Sequence, residues 1–231
     1  MTNRFAIITA SGIGKRFGGE IPKQFVKVKN REIIFHTLDK FIPLLDNKFI
    51  IEIVIVVNEK FLDFVTKRIF DLYNEDMLSK IKVIKGGKER YHSVFNGLKY
   101  LYYKYQKGLV AVHDGVRPLI PTEYIKEGFN EAEKNGSCVF YFNIEETLRK
   151  KENSHYITVP RDLYIKIQTP QIFELSPLYF SLKEGIEEDF KGTDEASFME
   201  KKGYNIYYHL GYKYNIKITT PIDLKLVEFL L

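Results

Sequence analysis

The chain has 231 residues, 45% of them hydrophobic, which is enough to build a substantial core without disulfides or structural metals. Its formal net charge of +5 is spread over 35 basic and 30 acidic residues, so the excess is thin and a general nucleic-acid binder is not expected. The lone cysteine, Cys138, excludes an intrachain disulfide framework, and its apolar setting reads as a small buried side chain rather than a reactive thiol.

In chain order, the first apolar run, Phe5-Ala-Ile-Ile-Thr9, is too short for a signal-peptide core or a membrane span, and a cytoplasmic location without membrane attachment is the expectation. It reads as a strand and runs into Ala10-Ser-Gly-Ile-Gly-Lys-Arg-Phe-Gly18, where small residues let backbone amides approach an anion. This is neither a Walker loop nor a G-x-G-x-x-G turn, because Phe17 stands in the place of the third glycine. Lys15, Arg16 and, one short loop later, Pro22-Lys-Gln24 give the turn cationic company. Attack at a triphosphate α-phosphorus needs such groups, since charge builds on the equatorial and leaving oxygens.

Further strands are expected at Ile51–Val57, Ile81–Ile84, Leu109–Val112 and Cys138–Phe142, with an amphipathic helix carrying Val94, Leu98, Leu101 and Tyr105 on one face. Apolar strands alternating with helices predict a mostly parallel α/β sheet covered on both faces, with ligands bound beyond the carboxyl ends of its strands.

Gly86-Gly-Lys-Glu-Arg90 leads to His92-Ser93 at the start of that helix, where glycine backbone groups suit a base edge. Ser93 fits two roles there, donor to a ribose or phosphate oxygen or plain helix cap.

His113-Asp-Gly-Val-Arg-Pro118 places Asp114 at a strand end, as a Mg²⁺ ligand beside a triphosphate or as a partner for Arg117, while His113 reads as a packed residue. Residues 143–160 break the alternation and predict a projecting two-stranded arm, either a surface hairpin or a dimer contact. Past Pro160-Arg-Asp162, Gln168-Thr-Pro-Gln171 and Thr193-Asp-Glu-Ala-Ser197, the segment Asn215-Ile-Lys-Ile-Thr219 reads as an alternating strand in which Lys217 either points to solvent, the default from periodicity, or enters a polar site. Thr220 and Pro221 then open a last helix with Asp223 in its first turn. One domain, 1–231, accounts for the whole chain.

Together these motifs resemble, from end to end, the 2-C-methyl-D-erythritol 4-phosphate cytidylyltransferase family, close to the ribitol 5-phosphate cytidylyltransferases. The resemblance implies a Rossmann-like fold of the nucleotide-diphospho-sugar transferase type, with a β-arm that makes a homodimer, and a Mg²⁺-dependent transfer of CMP from CTP to a polyol phosphate. It implies catalytic roles for Arg16, Lys23 and Lys217, and nucleotide contacts from Ala10, Ser11, Gly12, Gly14, Gly86, Gly87, Ser93 and Gly115. It also implies polyol phosphate contacts from Arg117, Thr147, Arg161, Thr169 and Thr193, and Asp114 at the metal. Thr193-Asp-Glu-Ala-Ser197 favours methylerythritol phosphate over ribitol phosphate. A non-catalytic nucleotide-binding module is the reading of another class, and Arg16, Lys23, Asp114 and Lys217 together weigh against it. The sequence departs from the family pattern at Ser11, at Phe17 and at Asn143-Ile-Glu-Glu-Thr147, where the Glu145-Glu146 pair adds negative charge at the root of the arm.

Overall fold

A computed structural model describes residues 2–12, 17 and 21–231. Strand β1 (Arg4–Ala10) is followed by a single 3-10 turn at Lys23–Phe25 and by the short ribbon β2 (Lys27–Val28) and β3 (Arg31–Glu32). Next come α1 (Ile33–Asp39), α2 (Ile42–Asp46), β4 (Glu52–Val57), α3 (Leu62–Leu72), α4 (Glu75–Leu78), β5 (Ile81–Lys85) and α5 (Arg90–Tyr105). The second half holds β6 (Leu109–Asp114), α6 (Thr122–Asn135), β7 (Ser137–Asn143), β8 (Leu148–Glu152), β9 (His155–Val159) and β10 (Ile165–Glu174). It closes with α7 (Leu175–Glu187), α8 (Glu195–Lys201), β11 (Tyr208–Leu210) and α9 (Pro221–Leu230).

The main sheet has the order β11-β7-β10-β6-β1-β4-β5. Its pairs are parallel except where β10 runs antiparallel between β6 and β7. Every residue of β4 and β6 is buried, as expected for strands covered on both faces. Alternation along β1 divides the core. Ala6, Ile8 and Ala10 pack with Phe35, Leu38, Leu45, Ile69, Ile125 and Phe129 from α1, α2, α3 and α6. Phe5 and Ile7 pack on the other face with Val94, Leu98, Leu178, Leu182 and Phe198 from α5, α7 and α8. Cys138 lies in the first of these layers, and its burial pushes the thiol up to about 12, which makes it an inert packing residue.

β1 occupies the topological switch point. The chain leaves it toward β4 and β5 on one side, then returns to β6 on the other, so a crevice opens beyond the carboxyl ends of β1 and β6. α9 starts as its sequence dictates: Pro221 is its first residue, and Thr220 and Asp223 exchange a capping box in which the Asp223 carboxylate accepts from the Thr219 and Thr220 amides at 2.8 and 2.7 Å.

Two expectations need correction. The segment 215–219 forms no strand: Asn215 and Ile218 are both buried while Lys217 is only partly so, and the chain is held by single contacts such as the Ile218 amide to the Val116 carbonyl at 3.0 Å. An alternating pattern was present, but among the described residues no strand pairs with it. Conversely, β10 has no counterpart among the predicted strands, because Gln168-Thr-Pro-Gln171 is polar and holds a proline, both signs against a central strand. The strand tolerates that proline through an irregularity in its register with β7 between Ile167 and Gln171.

The 143–160 stretch does form a ribbon of its own. β8 and β9 pair antiparallel from Leu148 opposite Val159 to Glu152 opposite His155 and belong to no other sheet. Tyr156 and Ile157 on β9 are exposed.

Candidate active site

A cleft of about 660 Å³ lies over the crevice, lined by Ala10, Ser11 and Gly12 after β1, Phe17, Lys23, Gln24, Asn58 after β4, Gly87 to Arg90, Asp114, Lys217 and Thr219. Of the residues implied for the site, Gly14 and Arg16 lie outside the described ones, as does Lys15.

The turn after β1 is drawn shut by Gln24, whose buried side-chain amide donates to the Ala10 carbonyl at 2.7 Å and the Gly12 carbonyl at 2.8 Å. Beside it, Lys23 donates to the Ile218 carbonyl at 2.7 Å, which ties the 3-10 turn to the segment bearing Lys217. Residues nearly two hundred positions apart thus bring two cations to one wall.

The opposite wall is the turn at Gly86-Gly87. Gly86 must be glycine, since a Cβ there would fall 2.5 Å from Ser11 Cβ. Ser93 is fully buried beneath this junction: its hydroxyl meets the Ser11 hydroxyl at 2.7 Å, accepts from the Gly87 amide at 3.0 Å and lies 3.1 Å from the Glu89 carbonyl. Ser93 is therefore neither the helix cap nor a group facing the cleft. The cap of α5 is Glu89, whose amide donates to His92 Nδ1 at 3.3 Å, and Ser93 instead joins the two turns from below.

Asp114 ends β6 with its carboxylate almost wholly buried and ringed by cations. Arg90 Nε approaches Oδ1 at 3.2 Å, while Arg117 Nε and Lys217 Nζ approach Oδ2 at 3.2 and 2.9 Å. Burial acts to raise its pKa, but Arg90, Lys217 and Arg117 hold it well below the usual carboxylate range, so it is ionised. The Arg117 pairing and a cleft-facing carboxylate, alternatives on sequence alone, coexist. Of the two directions open to Lys217 on sequence alone, the structure has it in the polar site; Arg117 also donates to the Asn215 carbonyl at 2.8 Å.

Proton bookkeeping behind Asp114 closes completely. His113 is buried, which lowers its pKa to about 4 and leaves the ring neutral. Its Nε2 lies 3.2 Å from the Arg117 carbonyl, a pure acceptor, so Nε2 carries the proton and Nδ1 accepts from the Thr169 hydroxyl at 3.1 Å. The Thr169 oxygen in turn accepts from the Asp114 amide at 3.1 Å. Gly115 packs under the same strand ends, its amide donating to the Thr9 carbonyl at 2.9 Å.

This explains why polar residues occupy buried β10: each fixes one part of the site. Thr169 holds Asp114, Gln171 accepts from the Ala196 amide at 2.9 Å and donates to Asp194 at 2.8 Å, and Gln168 donates to the Tyr212 carbonyl at 3.0 Å. Asn215 donates to the Thr169 carbonyl at 2.7 Å, which anchors the segment carrying Lys217.

Sequence reasoning gave no role to two residues at this centre. Arg90 sits at the first position of α5, where the helix dipole disfavours a cation, and that misplacement was the available signal. It is held by Glu195, 1% exposed on α8, through Nη1 at 2.6 Å and Nη2 at 3.2 Å. A glutamate at the start of a short helix carries no comparable mark.

The remaining implied residues stand apart from the cleft lining. Thr147 and Arg161 are exposed at the root of the arm, with Arg161 donating to the Glu145 carbonyl at 2.5 Å, and Thr193 is exposed before α8. The charges of Glu145 and Glu146 face Lys213 at 3.5 Å and Lys166 at 3.2 Å. Among the described residues no three His, Cys, Asp or Glu side chains group to hold a metal, and no helix is long and apolar enough to cross a membrane.

A parallel sheet with a small-residue turn at its switch point, facing an ionised aspartate and two lysines, defines an α/β fold of the nucleotidyltransferase type. The chain belongs to the 2-C-methyl-D-erythritol 4-phosphate cytidylyltransferase (IspD) family, whose model matches residues 5–231. Proteins of that name from Phocaeicola vulgatus and Clostridium botulinum are 35% and 36% identical to it, over 99% and 100% of this chain and 100% and 98% of their own lengths. The solved structure of the Francisella tularensis 2-C-methyl-D-erythritol 4-phosphate cytidylyltransferase superposes with a TM-score of 0.82 at 31% identity, covering 100% of both chains. That of the Anaerococcus prevotii 4-diphosphocytidyl-2C-methyl-D-erythritol synthase gives 0.84 at 29%, covering 99% of this chain and 98% of the other.

Proposed function

We propose that this protein transfers CMP from CTP to 2-C-methyl-D-erythritol 4-phosphate, giving the CDP-methylerythritol product and pyrophosphate in isoprenoid precursor synthesis. The observation that carries the reading is the convergence of Lys23, Lys217 and Asp114 on the small-residue turn at the β1/β6 crevice. A phosphate oxygen of the polyol phosphate attacks the CTP α-phosphorus, a new P–O bond forms, and the bond to the β-phosphate bridging oxygen breaks. That attacking oxygen is already anionic near neutral pH, so the protein supplies position and positive charge rather than a general base.

In this reading Ala10, Ser11, Gly12 and Gly14 wrap the triphosphate, and Gly86, Gly87 and Gly115 border cytosine and ribose. Ser93 acts from beneath them. Arg16, Lys23 and Lys217 neutralise charge as it grows on the α-phosphoryl and leaving oxygens. Asp114 suits Mg²⁺: it is ionised, lines the cleft, and is a single carboxylate, which matches an ion that completes its shell with phosphate oxygens and water. Bound there, the ion supplies charge neutralisation on the phosphates.

Arg117, Thr147, Arg161 and Thr193 are assigned to the polyol phosphate, with Thr169 contributing through its hold on Asp114. The 143–160 arm carries exposed Tyr156 and Ile157, and we assign it to a homodimer contact that brings arm-root residues of one subunit to the cleft of the other. Pyrophosphate release, measured with each of four nucleoside triphosphates against methylerythritol phosphate and ribitol 5-phosphate, tests the whole. CTP with methylerythritol phosphate is expected to turn over fastest; preference for ribitol phosphate or for another nucleotide overturns the assignment.

A further inference from the structure

The buried cluster around Asp114 holds one group for which the reaction as written has no use. Glu195 does not itself line the cleft and reaches it only through Arg90, yet it is 1% exposed, ionisable, and placed by a dedicated set of contacts. Asp194 caps α8 by accepting from the Ser197 amide at 3.1 Å, and Gln171 of β10 grips both Asp194 and the Ala196 amide, so the backbone on both sides of Glu195 is held. From there its carboxylate meets Arg90. A carboxylate removed from water costs free energy unless it is paired, so the placement of one here calls for a function that a neutral side chain would not fulfil.

The geometry shows what the pairing does. Glu195 takes one N–H from each of Nη1 and Nη2 of Arg90, and Asp114 meets Nε alone. A guanidinium left to itself beside a carboxylate takes it in a fork of two parallel bonds. Here the fork is turned away, and Asp114 receives one side-on contact. The arrangement also sets the local charge. Among the described residues three cations, Arg90, Arg117 and Lys217, face Asp114, and Glu195 is the second anion in direct contact with any of them. Burial pushes the Glu195 carboxyl up and the Arg90 guanidinium pulls it down; with Glu195 ionised in the Arg90 pair the charges of these five groups sum to +1, and without it to +2.

We infer that Glu195 is a positioning residue that keeps Asp114 competent to take a divalent cation, by holding the Arg90 fork away from that carboxylate and cancelling its charge. This rests on the reading of Asp114 as the metal ligand. Glu195 acts on the cation through Arg90 and touches neither nucleotide nor phosphate. A loss of Glu195 charge therefore has two opposite effects: a more positive cleft weakens the hold on a cation and strengthens the hold on a bare polyanion.

Calorimetric titration of the full-length protein with CTP, in chelator and then with Mn²⁺, reads both effects as the factor by which the metal tightens nucleotide binding. In the parent protein Mn²⁺ tightens CTP binding. Glu195→Gln keeps the side-chain volume and lowers that factor about tenfold, the order expected from removing one nearby unit charge at partly screened dielectric. Its metal-free CTP affinity stays level or rises. Glu195→Asp keeps the charge and restores most of the factor, although it shortens the arm. A lesion of packing alone would weaken CTP binding with and without metal and would make the Asp variant no better than the Gln variant; that pattern overturns the inference, as does a Gln variant whose metal effect equals the parent's. Asp114→Asn separates the two levels. If it abolishes the metal effect while Glu195→Gln leaves it intact, only the role of Glu195 fails; if the metal effect survives Asp114→Asn, the metal assignment fails and takes this one with it.

Discussion

The cleft and the arm hold the two halves of the assigned substrate contacts, and they are built on opposite terms. Asp114, Thr169 and Ser93 are buried, and each is fixed by two or more partners, at least one of them from a distant part of the chain. Thr147 and Arg161 sit in the open, beside surface ion pairs of the kind that contribute little to stability. Folding of one chain is enough to organise the phosphate end. In the proposed reading the polyol end is completed by a second subunit docked on the arm, so damage in the two regions should register in different measurements.

The largest expected effect is on turnover. Lys23→Ala should lower kcat by about 10²–10³, the range for removing one prepositioned donor at a transition-state charge, while CTP affinity changes far less. Titration of CTP binding beside steady-state rates checks this, and an equal loss in both would make the cleft a binding site with no special fit to the transition state.

Acid should expose the buried network next. The His113 ring has a folded pKa of about 4 against an ordinary value of 6.5, so between those values the unfolded chain binds a proton that the folded one refuses. Stability then rises with pH across that window and is lost as pH falls from about 6.5 to about 4. The loss amounts to about 3 kcal/mol for this group. Denaturant unfolding at several pH values measures it, and His113→Gln should flatten the slope. A slope unchanged by that substitution would mean that the ring is not held neutral by the fold.

The smallest effect belongs to the arm. Arg161→Ala is expected to raise KM for the polyol phosphate roughly tenfold with CTP affinity unaltered. Its unfolding free energy should stay within about 0.5 kcal/mol of the parent, as for an exposed side chain. A clear loss of stability in that variant would erase the contrast between the two regions.

Much of the cleft could be read from the chain because its parts follow local rules. Small residues after an apolar strand made the turn at Ala10–Gly12, an aspartate at a strand end made Asp114, and Thr220-Pro221 started a helix. What could not be read depends on partners that sequence spacing does not reveal. Ser93 looked like a cap because it stands near a helix start, but the cap lies four residues earlier and its hydroxyl faces Ser11. Periodicity made solvent the default for Lys217 and the polar site the alternative; the default rested on a strand at 215–219, and none forms there. β10 was hidden by the same residues that make it useful, since Gln168, Thr169 and Gln171 spend their polarity on other elements. Arg90 and Glu195 find each other across 105 positions.

The contact between Gly86 and Ser11 bears on how a nucleotide enters. With no room for even a methyl group between them and the Ser93 hydroxyl bonded across the seam, the two turns are packed as one wall. In the proposed reading, a nucleotide lying across both would meet them as a single surface, so a side chain added at Gly86 should disturb the phosphate turn as well as the base turn.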